Sequence, residues 1–389
     1  MNSDVDVTVI SNILMADGIG KQGIGLLGAI HNDLSVNAYK LSAKSFKDIS
    51  PDILKILMTS FKGFGKVSFW TSILGANTEW LPIHQAIDSQ VRMAYVMFES
   101  DSIPDFWTFI LNNYYDMAVV PDEYLVTTFK NAGVKIPIFV VPLGIMVEDL
   151  LKLPLKEKAS TPFTFGMSAG FWKRKNHIKL VKAFGDKFGD DPKFKLKLHG
   201  RFGPIQADVI KAVKDIGLKN IELISAPLSV KEYNAFMEEI DCYVFPSMGE
   251  GFSITPREAL AMGKPCIISN NTCQQTICKS GYVVPLEANK KVSAVFEFMG
   301  NKPCGHFFDC DVDDLSSSMK NVVNNYDKYL KQAIQGREWV KQYLWSELRP
   351  LYLSLLKPKN VVMGESNIVT PELFQTNSPT LFNKIKGLA

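Results

Sequence analysis

The sequence has no hydrophobic run long enough to cross a bilayer and few histidines. No stretch approaches the ~20 consecutive apolar residues that a membrane-spanning helix needs. The N-terminus, Met-Asn-Ser-Asp-Val-Asp, carries acidic residues and no basic segment, so we expect no signal peptide. The five histidines show no pair at ligand spacing. We therefore expect neither a membrane span nor a protein-bound metal site.

Cysteines in disulfide or zinc-site patterns are also absent. No Cys-x2-Cys pair occurs, and a chain of 389 residues needs no disulfides to hold its core. Cys242 and Cys266 fall in apolar segments and are predicted to be inert residues of buried strands. This usage indicates a reducing, cytoplasmic location, with peripheral membrane contact left open. The remaining cysteines are Cys273, Cys278, Cys304 and Cys310.

The chain lacks a strong excess of charge of either sign. Its net charge is +3, too small to indicate nucleic-acid binding, and it fits anionic substrates or a membrane surface only weakly. Hydrophobic residues make up 46% of the chain and charged residues 21%, the balance of a soluble globular protein. At 389 residues the chain is long enough for two or three domains.

Residues 242–270 form the most informative stretch, and they predict a strand, a turn, a helix and a second strand. The first strand is a short apolar run, and the turn is rich in glycine. Thr255 is predicted to cap the helix, with Pro256 at the first helical position and Glu258 three residues after the cap. Gly263 is predicted to end the helix.

The turn before this helix predicts an anion site. Free backbone N–H groups of Gly251, Phe252 and Ser253 would lie at the positive end of the helix dipole. Glu250 and Glu258 frame the turn. A carboxylate would repel a phosphate but can accept hydrogen bonds from hydroxyls beside it. Hydroxyls next to a diphosphate indicate a nucleotide sugar.

The string Glu-Gly-Phe-Ser-Ile-Thr-Pro-Arg-Glu-Ala-Leu-Ala-Met-Gly-Lys-Pro, residues 250–265, resembles the Glu-x7-Glu signature of glycosyltransferase family 4. Members of that family are retaining enzymes of the GT-B fold. The resemblance implies that Glu250 holds a donor-sugar hydroxyl and that Glu258 accepts from the ribose. It also implies that the N–H groups of Gly251 to Ser253 hold the phosphates. Capping the helix remains the competing role for Glu258.

A second stretch, Gly-Phe-Trp-Lys-Arg-Lys-Asn-His from Gly170, resembles the basic turn with which the family neutralises the donor diphosphate. Lys175 matches the family's lysine. The family's earlier arginine corresponds to Gly170, so either Lys173 or Arg174 compensates or the diphosphate is held more loosely. With this basic turn no divalent metal and no other cofactor are expected.

Two further residues of this half of the chain are candidates for contact with the nucleotide. His199 and Arg201 follow the apolar run 194–198, which is predicted to be a strand. Their position at its carboxyl end would allow them to face the donor.

The N-terminal half contains a Gly-x-Gly-x-x-Gly motif at Gly18, Gly20 and Gly23, after a predicted strand. A dinucleotide fold would place an acid at the end of the second strand, but that strand ends Ala-Tyr-Lys-Leu-Ser. Two interpretations remain beside a nicotinamide site. Gly20 and its neighbours approach the donor phosphates or the acceptor, as in similar glycosyltransferase loops, or they form a tight turn that needs positive φ.

The string from Glu99 to Gly144 is similar to the N-domain of the same family, in its Glu-x-Asp, Pro-Asp-Glu and Val-Pro-Leu-Gly segments. Glu99 and Asp101 follow the carboxyl end of a predicted strand, where such sheets place ligands. Two interpretations are open. These acids bind acceptor hydroxyls, or they are solvated residues of a loop.

Strands and helices alternate along the chain, and the strands are apolar on both faces, which predicts parallel sheets covered on both sides. The expected fold class is α/β of GT-B type, with two Rossmann-like domains facing a cleft. Residues 1–155 would bind the acceptor and 156–336 the nucleotide sugar. A C-terminal helix over 337–357, kinked at Pro350, would cross back to the first domain, and 358–389 would form a tail.

The predicted function is that of a retaining hexosyltransferase-type glycosyltransferase (EC 2.4). It would move a sugar from a UDP- or GDP-sugar to a hydroxyl of a glycan or lipid-linked acceptor. In the family the leaving phosphate is proposed to take the acceptor proton, so a protein base is not required. The alternatives are an NAD-type oxidoreductase and a non-catalytic relative that binds sugar nucleotides or glycans.

Overall fold

A computed structural model describes residue 2 and residues 4–15, 18–43 and 45–357. The predicted tail, 358–389, lies outside the described residues. By contacts within the chain, the structure divides into two units. The N-terminal unit comprises the described parts of 1–98, 102–146 and 342–389. The C-terminal unit comprises 99–101 and 147–341.

The N-terminal unit is built on one sheet of six parallel strands in the order β2-β1-β3-β4-β5-β6. Its central strands are buried on both faces, as a parallel sheet covered by crossover helices requires. The strands are β1 (Val7–Ile13), β2 (Val36–Ala43), β3 (Val67–Trp70), β4 (Val91–Tyr95), β5 (Met117–Val120) and β6 (Ile138–Val140). The first helices are α1 (Gly18–Ile30), α2 (Pro51–Met58), α3 (Leu81–Gln85), α4 (Asp105–Tyr114) and α5 (Glu123–Asn131).

The glycines of the Gly-x-Gly-x-x-Gly motif lie inside α1, so the predicted tight turn with positive φ is wrong. Two of them pack closely against the preceding segment of the chain. A Cβ on Gly20 would meet the backbone oxygen of Leu14, and a Cβ on Gly23 would meet the side chain of Ser11. The motif therefore lets α1 lie directly on β1 and the residue after it.

The C-terminal helix, α13 (Trp345–Leu356), belongs to the N-terminal unit. A Cβ on Gly25 of α1 would meet the indole of Trp345, so the two helices approach closely. The Tyr352 hydroxyl donates to the backbone oxygen of Pro142 at 3.0 Å. Residues 337–357 are not one continuous helix: the chain turns at residues 341–344, and α13, which contains Pro350, begins after that turn.

The C-terminal unit contains a second sheet of six parallel strands, in the order β12-β11-β10-β7-β8-β9. The strands are β7 (Phe163–Ser168), β8 (Phe194–His199), β9 (Ile221–Ile224), β10 (Cys242–Phe245), β11 (Cys266–Ser269) and β12 (Val284–Leu286). The helices are α6 (His177–Phe188), α7 (Gln206–Ile216), α8 (Val230–Glu239), α9 (Ile254–Ala261), α10 (Gln274–Lys279), α11 (Val312–Asn324) and α12 (Tyr326–Val340). Cys242 and Cys266 lie in buried strands as predicted.

An antiparallel hairpin, β13 (Lys290–Phe296) and β14 (Lys302–Asp309), also belongs to this unit and was not predicted. Its turn contains Gly300 and Asn301, both with positive φ (70° and 60°). Adjacent glycine and asparagine between two apolar runs is a hairpin signal that sequence reasoning missed.

Candidate functional site

The candidate site lies in the C-terminal unit, at the carboxyl ends of β7 and β10. These two strands are neighbours, but the chain proceeds from them in opposite directions across the sheet, to β8 on one side and to β11 on the other. Ligands of open parallel sheets bind at such a switch point. The segment after β7 carries the basic turn, and the segment after β10 carries Glu250. The topology thus brings together two motifs about 75 residues apart.

The basic turn, Lys173–Lys175, is one short turn of 3-10 helix. Asn176 comes next with φ of 61°, a left-handed conformation that asparagine tolerates better than most residues. The Asn176 amide donates to the backbone oxygen of Pro246 at 2.9 Å and to Asp309 at 2.8 Å. The basic turn is therefore fixed against the segment after β10.

Glu250 is buried and is the centre of a cluster of charges whose two cations are half-buried. Its Oε1 accepts hydrogen bonds from Lys175 at 2.5 Å, from Arg174 at 2.7 Å and from the Ser247 hydroxyl at 2.5 Å. Burial raises the pKa of Glu250, but the two neighbouring cations outweigh burial and hold the pKa below its usual range. Glu250 is therefore ionised at neutral pH. We call these four residues the Glu250 cluster.

The two cations of the cluster differ in how firmly they keep their charge. Burial, with the charge of Arg174 beside it, lowers the pKa of Lys175 to about 8, although Glu250 opposes the shift. Burial would lower the pKa of Arg174 too, yet Glu250 and Glu99 outweigh that effect and raise it. The second of these contacts joins Arg174 to Glu99 Oε1 at 2.9 Å. At neutral pH both residues are charged.

The backbone that carries Glu250 is fixed by hydrogen bonds from the next segment of the chain. The Glu250 N–H donates to the Thr272 hydroxyl at 2.9 Å. The side chains of Asn271 and Gln274 both donate to the Ser247 backbone oxygen, at 3.0 and 3.1 Å. A charged group held this way is preorganised, so it need not be reoriented when a ligand binds.

Helix α9 begins at Ile254, directly after the three residues predicted to hold phosphate. Its N-cap is Ser253, with φ of 70° and no side-chain capping bond. The predicted cap at Thr255 is therefore wrong, because Thr255 already lies within the helix. The Ser253 hydroxyl is buried and has no hydrogen-bond partner within the described part of the chain. A polar group of that kind beside a helix N-terminus suits an anionic ligand.

Glu258 is buried, at 4% exposure, and its Oε2 accepts from the Tyr233 hydroxyl at 2.6 Å. The capping box predicted around Glu258 is thus replaced by a contact between helices. A capping box does form at the start of α8, between Ser229 and Glu232. Sequence reasoning did not identify Tyr233, whose 25-residue separation from Glu258 gives no local signal.

His199 ends β8 as predicted and connects two segments near the switch point. Its Nε2 lies 3.1 Å from the Ala226 backbone oxygen and its Nδ1 lies 2.8 Å from the Ser168 hydroxyl. A hydrogen on Nε2 satisfies both contacts, since Nδ1 then accepts from Ser168. Burial lowers the pKa of His199, with a contribution from Arg201, so the ring is neutral at pH 7. The Arg201 guanidinium stacks on the Phe202 ring.

The remaining predicted site residues lie in different parts of the chain. Asp101 accepts from the backbone N–H of His306 on β14 at 2.7 Å, within the C-terminal unit. Lys173 is exposed on the basic turn, and Gly20 lies in the N-terminal unit. Of the predicted residues, the structure therefore brings Lys175, Arg174 and Glu250 together, with Glu99 bound to Arg174. Ser247 is the member of the Glu250 cluster that sequence reasoning missed.

No three histidine, cysteine or acidic side chains in the described ranges are grouped so that they could hold a metal ion. In the same ranges, no helix combines the length and hydrophobicity needed to cross a membrane.

Comparisons with known proteins agree with this architecture. Residues 162–300 match the family model described as Glycosyl transferases group 1. A curated relative of Bacillus subtilis (strain 168), named "Putative glycosyltransferase EpsF", is 27% identical over 135 residues, which are 35% of this chain. The match spans about a third (34%) of the length of that relative.

Solved structures extend the similarity to most of the chain. Anabaena HepE, in complex with UDP and glucose, matches with a TM-score of 0.69 and 11% identity, over 90% of this chain and 99% of that one. Sucrose-phosphate synthase from Thermosynechococcus elongatus matches with a TM-score of 0.63 and 14% identity, over 90% and 97%. With two sheets of six parallel strands flanked by helices, this chain has the same α/β GT-B fold as these structures.

Proposed function

We propose that this protein is a glycosyltransferase that moves a sugar from a nucleoside-diphosphate sugar to an acceptor hydroxyl. The observation that carries the proposal is the Glu250 cluster. It lies beside the N-terminus of α9 at the switch point of the sheet, within the residues that match the family model. A diphosphate needs fixed positive charge, and a sugar needs a buried hydrogen-bond acceptor. The cluster offers both.

In the proposed complex, Lys175 and Arg174 contact the diphosphate and the N–H groups of Gly251 to Ser253 hold its oxygens. Glu250 accepts from a hydroxyl of the donor sugar. An ammonium group has three donors, so Lys175 can keep its bond to Glu250 and still bind a phosphate oxygen. Arg174 would supply the charge that the family places at the position of Gly170.

The proposed chemistry uses these charges in the transition state. As the bond between the anomeric carbon and the diphosphate breaks, negative charge grows on the leaving phosphate. Two half-buried cations already fixed in the site stabilise that charge without reorganising. The leaving phosphate would take the proton of the acceptor hydroxyl, and the new bond would keep the anomeric configuration. This is a metal-independent retaining transfer of hexosyl type.

The donor and acceptor are proposed by class. UDP is the first nucleotide to test, because UDP is bound in the HepE structure. The acceptor would be a carbohydrate or a glycolipid. Glu99 and Asp101, proposed to bind acceptor hydroxyls, already contact the basic side chains of Arg174 and His306 respectively. The contact with Arg174 gives Glu99 a second proposed role, that of orienting this cation.

The nicotinamide alternative loses support from α1, because its glycines have a packing role against Ser11 and Leu14. The test is calorimetric titration of the protein with UDP, GDP and NAD, and then incubation with UDP-glucose and GDP-mannose. We expect binding of one nucleoside diphosphate and slow release of that diphosphate from its sugar. Binding of NAD alone would establish the oxidoreductase alternative. Donor binding with neither hydrolysis nor transfer to any supplied glycan would establish the non-catalytic one.

We also propose a cytoplasmic location with peripheral contact to an anionic membrane. Within the described part of the chain the cysteines form no disulfide, which suits a reducing compartment. Near the end of α2, Met58 is 64% exposed and Phe61 is 37% exposed. Lys55 and Lys62 are exposed on the same segment. Apolar side chains among lysines suit the interface of an anionic bilayer.

Vesicle cosedimentation tests this contact. We expect binding to phosphatidylcholine vesicles that contain phosphatidylglycerol, and loss of that binding in the double variant Lys55→Glu/Lys62→Glu. The control is Lys182→Glu/Lys187→Glu, which makes the same charge change at exposed positions of α6. Equal binding by both double variants would contradict the assignment of this surface.

A further inference from the structure

Tyr233 and Glu258 form the contact in the site that the proposed mechanism does not use. Tyr233 lies in the first turn of α8, and its hydroxyl donates to Glu258 Oε2 at 2.6 Å. We propose that Tyr233 is a positioning residue that fixes the Glu258 carboxylate for recognition of the donor ribose. This inference rests on the proposed function and assigns a residue that determines specificity within it.

The two partners come from helices whose starting turns are fixed independently of each other. Helix α8 begins with the Ser229–Glu232 capping box, and the Tyr233 N–H donates to the Ser229 backbone oxygen at 2.8 Å. Helix α9 begins at Ile254, after the left-handed N-cap Ser253, and the Glu250 N–H of the preceding turn donates to the Thr272 hydroxyl. The hydrogen bond between Tyr233 and Glu258 therefore joins two preformed elements. Its length is typical of a neutral hydroxyl bound to a carboxylate.

The surroundings of Tyr233 keep its hydroxyl in one protonation state. Burial, reinforced by the charge of Glu258, raises the pKa of Tyr233 well above its usual value. The hydroxyl therefore stays protonated over the working pH range and acts as a donor to Glu258. A phenylalanine would preserve the ring and remove the hydroxyl, which contacts Ser168 as well as Glu258.

The contact positions Glu258 and still allows its carboxylate to accept a hydrogen bond from a ligand. A carboxylate oxygen has two lone pairs, so Oε2 can accept from Tyr233 and from a second hydroxyl. With the Tyr233 hydroxyl 2.6 Å from Oε2, one oxygen of the carboxylate is positioned before a nucleotide arrives. The Tyr233 ring also lies 6.4 Å from the ring of His199, which ends β8. Tyr233 thus stands at the carboxyl edge of the sheet, on the side where the nucleotide is expected.

The test compares ribose with deoxyribose. Calorimetry would measure the affinities of UDP and of 2′-deoxy-UDP and 3′-deoxy-UDP, with the guanosine series in parallel. The proteins are wild type, Tyr233→Phe, Glu258→Gln and the double variant. We expect the wild type to prefer the ribonucleotide over at least one analogue by about ten-fold. Tyr233→Phe should reduce that preference by a factor of about three to ten.

The decisive measurement is whether the effects of the Tyr233 and Glu258 substitutions on the ribose preference are additive. If Tyr233 acts through Glu258, the double variant should show no smaller preference than Glu258→Gln alone, so the two effects are not additive. In turnover assays Tyr233→Phe should raise the donor KM while kcat stays within about two-fold. The matched control is Tyr329→Phe, which removes a hydroxyl bonded to Asn321 on an exposed face of the same unit.

The outcomes separate this inference from the function on which it rests. A Tyr233→Phe protein with a lowered melting temperature but an unchanged ribose preference would show a purely structural contact, and the positioning role would be wrong. The glycosyltransferase proposal would survive that result. A wild type that binds no nucleoside diphosphate would overturn both, whereas additive effects in the double variant would overturn the positioning role and leave the glycosyltransferase proposal standing.

Discussion

The two sheets are alike in size and direction but differ in the segments that leave their central strands. If the six strands of the C-terminal unit are numbered 1 to 6 along the chain, starting from β7, their order in the sheet is 3-2-1-4-5-6. This is the strand order of dinucleotide-binding sheets. In the N-terminal unit the order is 2-1-3-4-5-6. The segments after β7 and β10 carry buried and half-buried charges, whereas β1 leads into a glycine-rich helix packed closely on it. Similar sheets thus carry different chemistry in their loops.

The difference shows that charged groups constrain the sequence of one unit and close packing constrains that of the other. In the C-terminal unit, hydrogen bonds from Lys175 and Arg174 hold the charge of Glu250 in place at the candidate site. In the N-terminal unit, small residues serve close packing, and a Cβ at several of these positions would collide with a neighbour. Substitutions in the first region should therefore change rates. Substitutions in the second should change stability.

Removing Lys175 should have the largest effect. Lys175→Ala is expected to lower turnover by ~10²–10³, because charge on the leaving diphosphate is greatest in the transition state. Donor affinity should fall less than turnover. Single-turnover assays with the donor that the nucleotide titrations identify would measure both. Lys173→Ala, at an exposed position of the same turn, is the control. Normal turnover with only a raised donor KM would contradict the assigned role.

The titration of Lys175 sharpens the comparison, because a rise in pH should lower the activity but raise this residue's contribution to the unfolding free energy. The pKa of Lys175 in the folded protein is about 8, below the ordinary 10.5. The active, protonated form is lost as pH rises through 8, so kcat/KM should fall about ten-fold per pH unit above it. Between pH 8 and 10.5 the unfolded chain binds more protons, so this group's contribution to the unfolding free energy rises with pH.

Lys175→Arg is the control for the pH profile. Arginine keeps its charge throughout the accessible range, so the alkaline limb near pH 8 should disappear even if the rate is lower. A limb that persists in Lys175→Arg would assign the titration to another group.

In the N-terminal unit, the paired variants Gly25→Ala and Gly28→Ala test packing within one helix. A Cβ on Gly25 would meet the Trp345 indole, whereas a Cβ on Gly28 would meet nothing within 4 Å. Gly25→Ala should destabilise by about 1–3 kcal/mol through overpacking. Gly28→Ala should stabilise by about 0.5–1 kcal/mol, since alanine favours a helix. Urea unfolding would measure both, and equal effects would contradict the packing role of Gly25.

The same contrast explains how much of the fold and of the candidate site could be predicted from the sequence alone. The strand predicted over 194–198 is found as β8, one residue longer, because an apolar run marks it locally. The basic turn and the Glu250 turn were found through their motifs. The predictions that failed depend on tertiary context. Ser253 is the N-cap of α9 instead of Thr255, in a left-handed conformation that comes after a backbone held by Thr272.

Other features were inaccessible because they join distant segments. Glu99 belongs by contacts to the C-terminal unit, although strands on both sides of it in sequence belong to the other. The helix predicted over 337–357 breaks at residues 341–344, where the Ile145 N–H donates to the Tyr343 backbone oxygen at 2.8 Å. Partners of this kind are set by topology, which periodicity and propensity do not encode.

The smallest expected effect is that of removing divalent metal. Incubation with EDTA should leave the transfer rate within about two-fold, because Lys175 and Arg174 already supply two positive charges beside the helix N-terminus. A metal bound to the diphosphate would have to share this site with both cations. The contrast with Lys175→Ala makes the test specific. If the lysine replaces a metal ion, manganese should partly restore Lys175→Ala while leaving the wild type unchanged. Loss of wild-type transfer in EDTA, with recovery on adding manganese, would overturn the metal-independent mechanism and leave the charge of the Glu250 cluster needing a different explanation.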